Sequence, residues 1–331
     1  MSNAAFYQLG PLREYLEDPT VFEIRINRFQ EVICDTFSGR RVVQNTAITS
    51  DFIRNLAKSL VSSNKLTMQA INDVILPGGI RGVICLPPAV IEGTTAVAFR
   101  KDLAADKNLD QLTNEGIFSD CRKITGSKQS LTEDDFILKE LHSSEKWPTF
   151  LQMAVEKKRT IVICGETGSG KTVLTRALLK ALHKDERVVI LEDVHEVTVD
   201  HVVEAVYMMY GDAGKIGRVS ATDALRACMR LTPGRIIMTE LRDDAAWDYL
   251  KALNTGHPGG VMSTHANSAR DAFNRIGLLI KATPIGRMLD MSDIMRMLYS
   301  TIDVVVHMEK RKIKEIYFDP EYKMQCVNGG L

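Results

Sequence analysis

The eight residues Gly165-Glu166-Thr167-Gly168-Ser169-Gly170-Lys171-Thr172 fit the pattern G-x-x-x-x-G-K-[ST]. Glycines at this spacing let a backbone curl until its N–H groups converge on one point. A lysine followed by a hydroxyl suits the outer phosphates of a nucleoside triphosphate and its cation. The apolar run Ile161–Cys164 precedes the motif and an apolar stripe from Leu174 to Leu182 follows it. The loop therefore joins a strand to a helix N-terminus, whose positive end favours an anion. On this reading Gly165, Glu166, Thr167, Gly168, Ser169 and Gly170 cradle the phosphates of ATP. Lys171 reaches the β- and γ-phosphates, and Thr172 ligates Mg2+.

Three further signals follow downstream. The apolar run Val188–Leu191 ends in Glu192-Asp193, with Glu196 close behind. Ligands sit at the carboxyl ends of parallel strands, so Glu192 and Asp193 are candidates to hold Mg2+ or its waters. Arg235–Thr239 ends in Glu240, which is placed to orient an attacking water. Gly256-His257-Pro258-Gly259-Gly260 leads into Val261–Ala266, where His265 can hydrogen-bond Glu240 or the γ-phosphate. The competing assignments are a solvated acidic loop, an acid capping a helix at Asp243–Leu253, and a structural histidine. As zinc ligands the two histidines lack third and fourth partners. Glu196, Arg230, Arg242 and His257 receive no definite role.

These residues need a scaffold. From Thr160 onward, non-alternating apolar strands at Thr160–Cys164, Arg187–Leu191, Arg235–Thr239, Gly260–Ser263 and Ile302–Met308 alternate with helices. Strands of that kind are buried on both faces, which predicts a predominantly parallel sheet in an α/β domain. Lys312–Phe318 reads as an antiparallel return at its edge. Upstream, Val21–Ile26, Glu31–Asp35, Arg40–Ala47, Asp73–Leu76, Gly82–Leu86 and Thr94–Phe99 read as strands, and Asp51–Ser63 as an amphipathic helix. That mixture predicts an α+β domain. Between about Ile117 and Trp147 the chain turns polar, with a short helix expected at Phe136–Leu141. Pro148–Lys157 reads as a helix leading onward. The expected division is an α+β N-terminal domain at 1–118, a linker at 119–147 and the phosphate-loop domain at 148–331.

A composition of 45% hydrophobic and 25% charged residues excludes a disordered chain. Basic and acidic residues balance at 42 each, so no global field attracts nucleic acid, and no sequence-specific nucleic-acid binding is expected. The six cysteines form no C-x-x-C pair, which argues against a zinc ribbon and predicts reduced thiols in a cytoplasm. Neither an 18-residue apolar run nor a signal-like start is present. The expected location is the cytoplasm, with membrane association only through partners.

Phosphate loop, acidic box, Glu-ending strand and the box Gly256-His257…Thr264-His265-Ala266, in that order, resemble the secretion ATPase superfamily of types II and IV. The segments Arg81–Val90 and Val97–Arg100 are similar to the type IV secretion traffic ATPases, in the branch serving conjugation and related DNA transfer. The resemblance spans most of the chain and lacks the four-cysteine zinc module of many type II relatives. It implies a homohexameric ring in which a β-rich N-terminal domain joins a RecA-like ATPase domain, with nucleotide between the two domains of a subunit. It also implies a place at the cytoplasmic face of the inner membrane, among other secretion ATPases and inner-membrane components, energising pilus assembly and substrate transfer. Lys171, Thr172, Glu192, Glu240 and His265 match functional positions of the family. Arg81 and Arg100 match arginines that approach nucleotide from the N-terminal domain. A hairpin of Gly82–Leu86 with Thr94–Phe99 brings both to one open end, where an anion between them relieves their repulsion. Pro233-Gly234 stands where relatives commonly carry Pro-Asp, which leaves Glu192 or Asp193 to serve the magnesium.

The expected reaction is attack of water on the γ-phosphate, with Arg81 and Arg100 completing the site as the N-terminal domain closes. A type II secretion or pilus ATPase, a DNA translocase and a small-substrate phosphate-loop kinase are the rival readings. No base-reading residue stands out, so the sequence does not choose between ATP and GTP.

Overall fold

The computed structural model describes residues 9–102, 107–123, 128–211, 219–242 and 245–329. Six strands of its first part form an antiparallel sheet: β1 (Val21–Ile26), β2 (Glu31–Thr36), β3 (Gly39–Gln44), β4 (Ile71–Ile75), β5 (Arg81–Cys85) and β6 (Ala96–Arg100). Their order is β3-β2-β1-β6-β5-β4. Alternation decides the two faces. Ile24, Ile26, Ile84, Val97 and Phe99 join Ile53, Leu56 and Leu60 of helix Ser50–Ser63 in one core. That helix starts where the Thr49 hydroxyl accepts the Phe52 N–H. The opposite face carries Glu23, Arg25, Val83 and Ala98.

The second sheet has seven strands: β7 (Ile161–Gly165), β8 (Arg187–Glu192), β9 (Glu204–Met209), β10 (Arg235–Met238), β11 (Val261–Thr264), β12 (Val304–Glu309) and β13 (Lys312–Phe318). Its order is β13-β12-β7-β11-β10-β8-β9, with β13 antiparallel at one edge and the rest parallel. β7, β8, β10 and β11 are buried at every residue, because helices cover both faces. Val162, Val189 and Ile236 share one core with helices Ala221–Arg230, Ala246–Asn254 and Ala269–Ala282. Ile163, Ile190 and Ile237 share another with Phe150, Leu178 and Leu138. This is the expected RecA-like α/β architecture. Strand β9 and the helices beyond Ala221, apart from Ala246–Asn254, lie outside the sequence reading, and residues 243–244 of the expected Asp243–Leu253 helix lie outside the described residues. Helix Glu133–Ser143, inside the expected linker, places Leu138 in the second core.

The two sheets are joined tightly. The β5–β6 connection runs along the edge strand β9, with the Met209 N–H donating to Ala89 (2.8 Å) and the Ile91 N–H to Tyr207 (3.3 Å). An edge that would otherwise template aggregation is thereby covered. Beside it, the fully buried Arg25 meets Glu204 (2.7 Å), Glu23 (2.9 Å) and Asp35. Glu204 also takes Arg40 (2.6 Å) and Arg187 (2.7 Å). Carboxylates and guanidiniums balance there, which makes burial of so much charge tolerable. Burial pulls Arg25 down, yet Asp35 and Glu204 hold it above the ordinary arginine value. Arg187, buried and beside Arg25, falls to about 10.

Candidate active site

The phosphate loop leaves β7 at its carboxyl end and enters helix Lys171–Leu179. Gly165 (φ +150°) and Gly170 (φ +97°) adopt conformations that side chains resist. Gly165 also has no room, since a Cβ there would stand 2.2 Å from the Met308 carbonyl oxygen. β12 thus presses on the loop from the side opposite β11.

Lys171 Nζ donates to the carbonyls of Gly165 (2.8 Å) and Glu166 (2.9 Å) and lies 3.5 Å from His265 Nδ1. Burial pulls its pKa below the ordinary lysine value, and Glu240 counteracts the pull. His265 Nε2 in turn stands 3.7 Å from Glu240 Oε1. A lysine, a histidine and a glutamate far apart in sequence therefore form one chain of contacts at the ends of β7, β11 and β10. Thr172 lines the same cleft, of about 970 Å³, with Thr167, Gly168, Asp193, Glu196 and Ser263.

Glu240 is held in place by its neighbours. The Tyr210 hydroxyl donates to the Glu240 carbonyl (2.9 Å), and the Ser263 hydroxyl donates to the Thr239 carbonyl (2.5 Å), locking β10 to β11. Arg242 lies 3.5 Å from the Glu240 carboxylate, pairs closely with Asp193, and sits 5.7 Å from the centre of the Tyr210 ring. Arg242, unassigned from sequence, couples two acids of the cleft, Asp193 and Glu240.

Glu192 departs from the expectation of a metal ligand. It is fully buried, with Oε2 2.8 Å from His195 Nδ1 and Oε1 accepting the backbone N–H groups of Glu196 (3.1 Å) and Val197 (3.0 Å). Burial raises its pKa against the pull of those hydrogen bonds. Glu192 ties down the loop that lines the cleft and is not itself among the lining residues. Asp193 and Glu196 line the cleft instead. With Thr172, Asp193 provides hard oxygen donors of the kind Mg2+ takes.

Arg81 and Arg100 are direct partners across β5 and β6, at the open end of the hairpin. They line a different cavity, of about 920 Å³, with Lys101, Lys107, Phe22 and Phe37. No residue of the first sheet lines the phosphate-loop cleft. The reason lies in the topology: the first sheet docks on β9, while β11, β10 and β8 separate β9 from β7. Among the described residues, the first sheet and the phosphate-loop cleft of one chain therefore lie apart. Arg230 pairs with Asp73 (2.8 Å) and the His257 ring bonds the Pro233 carbonyl (2.8 Å), both away from the cleft. Met308 and Arg311 line the cleft, and the sequence reading missed them. Their only sign in sequence is position, a polar turn after an apolar strand.

Comparison with known proteins adds an independent line. Residues 127–315 match the family described as Type II/IV secretion system protein. The chain is 33% identical to the Type IV secretion system protein VirB11 of Bartonella quintana (strain Toulouse), over 98% of this chain and 95% of that protein. It is 32% identical to the protein of the same description from Brucella suis biovar 1 (strain 1330), over 96% and 91% of the two chains. Among solved structures, the VirB11 ATPase from the Brucella suis type IV secretion system in complex with sulphate matches at a TM-score of 0.91. That match has 32% identity and covers 98% of this chain and 97% of the other.

Proposed function

We infer that this chain, which belongs to the type II/IV secretion system protein family in its VirB11 branch, is the ATPase that powers a type IV secretion machine. The observation that carries the reading is the convergence of Lys171, His265 and Glu240, with successive gaps of 3.5 and 3.7 Å, at the mouth of the phosphate loop. The loop amides and Lys171 neutralise phosphate charge, and the Glu240 carboxylate accepts a hydrogen bond from water and aims it at the γ-phosphorus. His265, between Glu240 and Lys171, bonds the γ-phosphate in this reading. Thr172 and Asp193 would hold Mg2+, which when bound screens the phosphate oxygens.

Arg81 and Arg100 act, in this reading, on the nucleotide of a neighbouring copy in a homohexameric ring. Their place supports it: by strand alternation they share the face of Val83 and Ala98, which meets the second sheet, but lie beyond the contact. No helix among the described residues is long and apolar enough to cross a membrane. Attachment at the cytoplasmic face of the inner membrane would run through other secretion components.

Glu240→Gln should keep ATP binding and lose turnover by roughly 10²–10⁴-fold. Lys171→Ala should abolish hydrolysis; turnover that persists in purified Lys171→Ala protein would sink the reading.

A further inference from the structure

The cleft has a second end that the phosphate chemistry does not use. Its hydrolytic end is set by β10 and β11, on one side of β7. β12 lies on the other side, and its hairpin with β13 reaches the cleft through Met308 and Arg311. A triphosphate lying along the loop with its γ-phosphate toward Glu240 would carry its nucleoside away from β10 and β11, toward this hairpin.

We propose that Arg311 is a nucleoside-binding residue of the ATPase cleft, its guanidinium stacking on the base while Met308 and Val173 supply the apolar wall. The proposal rests on the cleft being the ATP site. Proximity supports it: a Cβ built on Gly170 would lie 3.7 Å from Arg311 Cα and 3.3 Å from the Met308 methyl carbon. Val173, in the first turn of the helix after the loop, lines the cleft and leaves 69% of its surface exposed. The turn itself is unusual. Glu309 pairs with Lys312, so Lys310 and Arg311 form a two-residue turn with φ of +48° and +62°. Turns of that kind favour Asn-Gly, and two long cationic residues there oppose the local preference. A planar cation that stacks on an aromatic face gives position 311 a function that Asn or Gly cannot supply.

The test is a pair of equilibrium titrations, one with ATP and one with inorganic tripolyphosphate, which has the phosphates without the nucleoside. Arg311→Ala should weaken ATP binding roughly tenfold and leave tripolyphosphate binding unchanged. Arg311→Asn, whose side chain suits the left-handed turn, should show the same loss and separates recognition from any effect on folding. Arg311→Lys should recover little, because it restores charge without the plane. Wild-type ATP affinity in Arg311→Asn, equal losses for both ligands, or full recovery by lysine would each overturn the proposal. Lys171→Ala must lose both ligands in the same titrations. If it does not, the phosphate-loop reading fails, whatever Arg311 does.

Discussion

Glu192 and Glu240 are both carboxylates at the ends of buried parallel strands, and the fold uses them differently. Glu240 is part exposed beside His265, whereas Glu192 is buried under the loop it fastens. Glu192→Ala would leave the Glu196 and Val197 amides without their acceptor, a loss of about 1–3 kcal/mol readable in denaturant melts. A variant with unchanged stability but altered Mg2+ dependence would contradict the fastening role. Burial raises the Glu192 pKa above its ordinary 4.5, so the folded chain keeps this proton to higher pH than the unfolded chain does. Wild-type stability relative to Glu192→Gln should therefore fall as pH climbs from 4.5 through the raised value. A difference that shifts toward the wild type across that window would refute the burial argument. Residue types in sequence located the acidic box but did not choose between Glu192 and Asp193. That choice depends on which of the two acids the amides of the following loop fold back onto.

At the scale of elements, apolar runs and turn residues made most strands legible. β1 and the β5–β6 hairpin fall where patterning placed them, and the parallel strands are readable because burial on both faces leaves uninterrupted Val and Ile. β9 was not legible: it opens with Glu204, whose burial depends on Arg25, 179 positions away. The hairpin tip was equally hidden, since nothing in Lys310-Arg311 announces a left-handed turn. Strain there predicts that Lys310→Asn stabilises the protein by roughly 1 kcal/mol, measured as a raised denaturation midpoint. The packing of β12 against the loop predicts the opposite for Gly165→Ala. Its new Cβ meets the Met308 carbonyl at 2.2 Å, so stability should drop by about 1–3 kcal/mol and phosphate binding should fail with it. Normal tripolyphosphate binding by Gly165→Ala would show that the loop does not need this contact.

Across the whole molecule, the first sheet is docked on β9. A buried cluster around Arg25 and Glu204 and a shared core hold the two sheets together, which disfavours closure of one over the other within a chain. Arg25→Ala leaves buried carboxylates without a counter-charge and should cost about 3–5 kcal/mol, measured by chemical denaturation. Patterning and motifs pointed to both sheets and to most residues that line the cleft, but not to this docking, because its contacts join residues from opposite halves of the chain. Arg81 and Arg100 line a cavity other than their own phosphate-loop cleft, so in the proposed ring a neighbouring copy brings arginines to each nucleotide. The direct measurement is ATP hydrolysis by a mixture of two inactive variants, Glu240→Gln and the double variant Arg81→Ala, Arg100→Ala. In a mixed ring an intact cleft on the arginine variant meets intact arginines on its neighbour, so hydrolysis should rise well above that of either variant alone. No gain on mixing, or full hydrolysis by the arginine variant alone, would contradict it.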